Sequence, residues 1–523
     1  MTSLQQQSDA SSDVSPAANS KSSTVRNVLA NWSGLAATTV VSLILTPLLI
    51  NRLGAFYYGL WVLVGSVTDY YGLLDVGMRS TLFRFVTRCK GNNDRQGLNE
   101  VMSSALAIVL TISALALVLT AATIPWIPSF FAIGSSARPL FREVMAILGL
   151  TVAVLFPGQL FGTYLSGSRR FDLYNFSTSG ANILKLLLTI LALRAGMGII
   201  GVAAATLISS ITNLLINFVM VRKIDPELRF TPKLVSIARI RELFSFSFFA
   251  FLISIGDYLR FFTDSIVIGR VLSVALITPF SIASRIISLV RHLLYGVAAP
   301  LQGMMGELDG AERQEELKKF VLRSLRLTGV LTCVLVGLLA LNGDWLIRRW
   351  IGDGFYDSYK LLLILLLGYI IAMSQQPFAD LLLIKGRHQL RGWWSIVEGL
   401  ANLGLSIYWG HKYGLMGVAL GTTVPMLAVQ IFFQPWYALH VSKISIADYF
   451  KESVVPPLVT LIGVMSFGIG LRLLVSPVAL IAQFSVAVIE SLAALALAWM
   501  LIGNDDRQMV MRRISSSAKA NNR

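Results

Sequence analysis

Apolar stretches of about twenty residues, separated by short polar ones, follow each other from near residue 27 to near residue 502, and no polar stretch is long enough to hold a soluble domain. About twenty apolar residues is the length an α-helix needs to cross a hydrocarbon core roughly 30 Å thick. The pattern predicts helices over 27–50, 57–77, 99–123, 143–165, 176–194 and 198–221, then over 243–268, 275–300, 321–341, 359–384, 393–411 and 415–439, and finally over 453–474 and 478–502. This is an all-α polytopic membrane protein with about fourteen transmembrane helices.

Short matches recur at offsets of 216 to 220 residues. "INRL" from Ile50 is echoed by "IGRV" from Ile268, Ala181 and Asn182 by Ala401 and Asn402, and "GIIGVAAAT" from Gly198 by "GLMGVALGT" from Gly414. The shift equals six spans, an even number, so both copies enter the membrane in the same sense and are related by an axis along its normal. The expected organisation is an N-terminal lobe over 25–222, a linker over 223–242, a C-terminal lobe over 243–440 and an appended pair of helices over 441–503. Polar tails flank these: a Ser- and Gln-rich one over 1–24, expected to be disordered and cytoplasmic, and a basic cytoplasmic one over 504–523.

Composition sharpens this picture. Only 14% of residues are charged and 55% are hydrophobic, whereas soluble domains carry about a quarter charged residues. With the N-terminus placed in the cytoplasm, 30 of the 44 Lys and Arg residues fall in inner segments and 10 in outer ones, leaving four inside spans. That bias predicts both termini on the cytoplasmic side of the cell membrane. The net charge of +16 is therefore spread over loops as a topology signal, and nucleic acid is not an expected partner. Cys89 and Cys333 lie in a basic loop and an apolar run, so neither a disulfide framework nor a metal cluster is expected, and no cofactor. No "GxxxxGK[ST]" is present, and no outer loop is large enough for a soluble active site, so the chain is not expected to be an enzyme. The most polar outer loop, "NGDWLIRRWIGDGFYDS" over 342–358, is expected to form a surface network.

The chemistry lies in the charges that lipid does not tolerate, since an ionised group at the bilayer centre costs at least about 2.5 kcal/mol and faces protein or water. In the seventh span Ser254, Asp257, Phe261 and Asp264 share one helical face, with Arg260 about 60° from Asp257 and available to pair with either acid. In the eighth, Ser281, Arg285, Ser288 and His292 form a polar stripe, with Arg291 roughly 120° from Arg285. In the fifth, Thr178, Asn182, Lys185 and Thr189 do the same. Asp75 and Arg79 in "DYYGLLDVGMRSTLFRFVTR" are four apart and suit an ion pair, whereas Asp69 has no partner at helical spacing; "TLFRFVTR" reads as an interfacial amphipathic turn or two. Asp380 and Glu398, near the cytoplasmic boundary, are expected to be solvated, and Glu490 to serve helix packing or a second groove.

"LGAFYYGLW" from Leu53, "YGLLDVGMRSTLFRF" from Tyr71 and "GIIGVAAAT" from Gly198 resemble the polysaccharide flippases, of O-antigen, teichoic-acid or exopolysaccharide type, in the multidrug/oligosaccharidyl-lipid/polysaccharide exporter superfamily. The resemblance implies a V-shaped, two-lobed transporter that moves a polyprenyl-pyrophosphate-linked oligosaccharide to the outer leaflet by alternating access. It implies membrane lipids around the protein and glycan polymerases and glycosyltransferases as partners. Lys185, Arg260, Arg285 and Arg291 then become candidates for the head group, because fixed cations lower the cost of taking a diphosphate out of water. Asp69, Asp257 and Asp264 become candidates for carrying a coupling proton or cation. Three alternatives stand beside this reading. A cation-coupled drug or metabolite antiporter of the same superfamily favours acids over bases in its cavity. A membrane-embedded glycan polymerase or glycosyltransferase needs a carboxylate site on a large outer loop. A passive scaffold is indifferent to neutralising Arg285.

Overall fold

The computed structural model of the protein describes residues 17–75, 77–131, 133–387, 389–475 and 480–501. No strand occurs among them. The N-terminal half is built from α1 (Ala17–Asp69), α2 (Met78–Gly91), α3 (Arg95–Thr123), α4 (Arg138–Gly167), α5 (Phe171–Arg194) and α6 (Gly198–Ile224). The C-terminal half follows as α7 (Ile237–Phe261), α8 (Thr263–Val271), α9 (Ile277–Gly310), α10 (Gln314–Trp350), α11 (Tyr356–Ser374), α12 (Gln376–Ile384), α13 (Gln389–Ala428), α14 (Gln434–Ser442), α15 (Val455–Val475) and α16 (Leu480–Leu501). Eleven continuous helical stretches among the described residues are long and apolar enough to cross a membrane. Two of them turn within the run at a glycine: Gly54 has φ 82° and ψ 166°, and Gly414 has φ 60° and ψ −140°, backbone that a side chain disfavours. Those two points separate the expected first span from the second and the eleventh from the twelfth.

Helix is already formed from Ala17, inside the stretch expected to be a disordered tail; residues 1–16 and the basic tail over 504–523 lie outside the described residues. The second span also departs from expectation. Its α-helix stops at Asp69, a 3-10 turn runs over Tyr70–Asp75, and the interfacial segment is a separate helix, α2, entered through Gly77 in the left-handed conformation. The outer loop after 341 is shorter than expected, because α10 continues to Trp350; Arg348 and Asp344 still pair across its surface at 3.0 Å.

The sequence repeat reappears as a repeat of packing. α3 lies on α4 as α10 lies on α11, and α4 lies on α6 as α11 lies on the second half of α13. The first half of α1 lies on α5, with Gly34 against Asn175, as α7 lies on the first half of α13, with Gly256 against Ser395 and Gly399 against Leu259. Single polar side chains tie these pairs, as expected where lipid gives no hydrophobic drive between helices. Ser113 donates to the Ala153 carbonyl at 2.8 Å, Asn217 to Gly158 at 3.2 Å, Thr328 to Ser374 at 3.0 Å and Thr423 to Ile364 at 3.1 Å. α15 packs on α10 and carries α16, and Arg472 of α15 pairs with the buried Glu490 of α16 at 2.9 Å while Asn342 donates to the same carboxylate at 2.7 Å. Glu490 therefore serves helix packing.

The two halves meet along the 55–69 part of α1. Thr278 donates to the Ala55 carbonyl at 2.6 Å, and the Tyr70 and Thr263 hydroxyls are 2.5 Å apart. Between these points Gly59 sits so close to Val274 that an added Cβ collides with the Val274 carbonyl oxygen. Replacing Gly59 with Val is therefore expected to wedge this end open and to raise the labelling rate of a cysteine placed in the cavity by several-fold. An unchanged rate in folded protein would show that the contact does not hold the halves together.

Candidate functional site

A cavity of about 650 Å³ lies between the halves, bounded by the second part of α1, by α4, α5 and α6, and by α8 and α9. Its wall is built from the polar stripes seen in sequence. α5 contributes Thr178, Asn182 and Lys185, and α9 contributes Ser281, Arg285 and Ser288. The spacing of three to four residues puts each set on one helical face; apolar side chains of α9 such as Ile282, Ile286 and Val290 are buried in the lobe, whereas Ile183, Leu187 and Leu191 of α5 are exposed, where lipid surrounds the protein. Thr189, at the end of the α5 stripe, is instead fully buried, and His292, at the end of the α9 stripe, is exposed. α6 adds a third stripe that the sequence reading overlooked: Thr206, Ser209, Ser210, Asn213 and Asn217. Its spacing in the sequence was the available signal.

Asp69 ends its α-helix at this wall, and Lys185 and Arg285 are near enough to act on it electrostatically. Lys185 also lies over the Trp61 ring, 5.9 Å from its centre. None of the three forms a direct ion pair among the described residues, so two cations and one carboxylate face open space with one positive charge uncompensated. Arg79, at the cavity's edge, is held 3.8 Å from Asp75, as the four-residue spacing predicted.

The remaining candidates are elsewhere. Arg260 does not pair with Asp257 or Asp264. Its Nε lies 3.2 Å from the carboxylate of Glu398 on α13, and Glu398 is buried instead of solvated. The register of α7 on α13, set by the close approach at Gly256 and Gly399, brings them together. Arg260, Arg291 and Asp257 line a separate pocket inside the C-terminal half, with Phe261 shared between that pocket and the cavity. Asp264 leaves the face of Asp257 altogether, because the helix breaks between Phe261 and Thr263. It is buried, and Thr422 donates to both its oxygens at 3.0 and 2.9 Å, with Asn402 and Ser406 alongside. Asp380 is buried too, accepting from Gln376 at 3.0 Å. Both it and Glu398 correct the expectation of solvated boundary acids.

A two-lobed helical fold around a polar, net-positive cavity narrows the candidates, and the sequence decides between them: residues 55–360 match the family model described as a polysaccharide biosynthesis protein. The chain belongs to this polysaccharide biosynthesis family. Within the family's range fall Asp69, Lys185, Arg260, Asp264, Arg285 and Arg291. The chain is 20% identical over 501 residues to the membrane protein EpsK of Bacillus subtilis, covering 95% of this chain and 99% of that one. It is 19% identical over 421 residues to a Shigella flexneri protein named for O-antigen transport, covering 79% and 98%. Among solved structures it resembles the lipid II flippase MurJ in an inward closed conformation, with a TM-score of 0.70 at 17% identity over 93% of this chain and all of that one. At such identity the likeness establishes a shared fold for this family member, the fold of the MurJ and multidrug exporter superfamily.

Proposed function

We propose that the protein is a flippase that carries a polyprenyl-diphosphate-linked oligosaccharide across the cytoplasmic membrane by alternating access, for surface polysaccharide synthesis. The observation that carries this reading is the convergence of Lys185, Arg285 and Asp69, from three helices of both halves, on one cavity. The two cations receive the diphosphate, while the hydroxyl and amide stripes of α5, α6 and α9 meet sugar hydroxyls. A drug antiporter for cations needs the opposite balance of charge. The names of the relatives, an O-antigen transporter and a lipid II flippase, support the substrate class. Arg260, held by Glu398, and Arg291 are not part of the diphosphate site in this reading.

The proposal includes fourteen crossings in two six-helix lobes with α15 and α16 appended, both termini cytoplasmic, and glycosyltransferases and a glycan polymerase as neighbours in the same process. Asp264 carries the coupling proton or cation, because a buried carboxylate with only neutral donors beside it needs one. Asp69 changes partner as substrate binds, releasing Lys185 and Arg285 to the diphosphate. Asp257 acts in the neighbouring pocket.

The test is reconstitution. Proteoliposomes holding a fluorescent polyprenyl-diphosphate oligosaccharide are expected to expose it to an outside glycosidase at least tenfold faster than protein-free vesicles. A rate equal to that of empty vesicles, with protein folded and correctly inserted, sinks the reading.

A further inference from the structure

Pro47 lies inside α1, and a proline has no N–H to give to the carbonyl four residues before it, which here is that of Leu43. At membrane depth a carbonyl freed in this way is taken up by a neighbouring group, since lipid offers no donor. The donor comes from far along the chain. The indole Nε1 of Trp350 donates to the Leu43 carbonyl at 2.8 Å, across a separation of 307 residues. Leu43 belongs to the first half of α1, in the N-terminal half of the protein, and Trp350 is the last residue of α10, in the C-terminal half. This bond therefore joins the two halves outside the 55–69 seam.

The bond also lies toward one particular end. Counted outward from the linker between α6 and α7, helices that alternate in direction bring both the turn at Gly54 and the end of α10 to the far end, where Thr278 meets Ala55. Trp350 is partly buried against the apolar core, and Ile347 and Ile351 beside it are buried, so the last turn of α10 holds the indole in place. Tryptophan suits such a post, because its large ring excludes water while its one N–H serves as a donor.

We propose that Trp350 is the latch of this far end: its indole N–H, seated on the carbonyl that Pro47 frees, holds the halves together and sets how often the cavity opens there. The inference rests on the flippase reading, in that alternating access requires this end to part. The two arrangements respond unequally to loss of the donor. With the halves together the carbonyl is shut away from water, and an unmet buried acceptor is costly. With the halves apart water reaches both groups and replaces the bond at little net cost. Removing the N–H thus penalises the closed arrangement and leaves the open one almost unchanged, which moves the population toward opening. Bulk does not produce this effect, since a ring of the same shape without the N–H still fills the space.

The experiment follows a membrane-impermeant maleimide, added outside intact cells, as it reaches a cavity cysteine made by Ser284→Cys in the full-length chain carrying Cys89→Ala and Cys333→Ala. Trp350→Phe is expected to raise the labelling rate roughly tenfold, and so is replacement of Trp350 by benzothienylalanine, which keeps the shape of the indole without its N–H. Pro47→Ala restores an N–H to Leu43 within α1, so in that background Trp350→Phe should change the rate by less than about twofold. An unchanged rate in whichever Trp350 variant reaches the membrane folded overturns the proposal. So does an equal rise in the Pro47→Ala background, which would make Trp350 a packing residue. If labelling behaves as expected in a protein that flips no lipid-linked glycan, the latch stands and the flippase reading fails instead.

Discussion

Export of surface polysaccharide is expected to fall at least tenfold when Arg285 is replaced by Gln, and by a similar factor for Lys185→Gln. Each side chain faces the cavity without an acidic partner in direct contact, so its loss is not compensated by relief of a buried pair. A hydrogen bond to a charged group contributes about 1.5 to 3 kcal/mol, which corresponds to roughly ten- to a hundredfold in affinity. Removing both cations leaves Asp69 facing the diphosphate with no positive charge between them, and the double variant should be inactive. Lys185→Arg keeps the charge and is expected to retain most export. The measurement is cell-surface polysaccharide normalised to the amount of folded protein in the membrane. Undiminished export with both single variants would remove the two residues from substrate binding and would favour a passive scaffold.

The second large effect concerns Asp264. Asp264→Asn keeps the shape of the side chain and one oxygen that can accept from Thr422, yet it has no titrating proton and no negative charge to balance a cation. Flipping driven by an imposed proton or sodium gradient is therefore expected to lose its response to the gradient, with at least a tenfold drop in initial rate, while the downhill exchange of substrate continues. Stability should change little, because the exchanged group is neutral and isosteric. If the variant still responds to each gradient as the wild type does, Asp264 is only a packing residue of the C-terminal half.

What could be read from the sequence was local. The apolar runs place the helices because helix length in a membrane is set by hydrocarbon thickness, and the stripes at Thr178, Asn182 and Lys185 and at Ser281, Arg285 and Ser288 point into the cavity because three- and four-residue spacing repeats on one face. The internal repeat carried over into repeated packing for the same reason: similar faces find similar partners. What could not be read depended on contacts far apart in the chain or on breaks inside a helix. Arg260 and Glu398 are distant in sequence, and their meeting depends on how two glycines let α7 settle on α13. The i, i+3, i+7, i+10 spacing from Ser254 that put Asp264 with Asp257 assumed an unbroken helix, and the interruption after Phe261 turned Asp264 toward Thr422 instead. The helical turn at Gln430 is similar, since a π insertion shifts the phase of everything after it.

The seam along α1 combines neutral, single polar contacts, a threonine on a carbonyl, two hydroxyls side by side and a glycine under a peptide group, with the buried apolar side chains of Leu60, Leu63 and Val64, which share a core with Ile268, Val274 and Ile277 of the other half. Every one of these polar groups can exchange its partner for water at little net cost, about 1 kcal/mol for each hydrogen bond. The polar contacts therefore cost little to break, and what parting the halves costs is set mainly by the apolar faces that separate; in the flippase proposed above, differential binding of the cargo to the two arrangements has to offset that cost. Because no charged pair among the described residues is broken along α1 itself, that opening stroke would be set by how much oily surface the cargo keeps covered.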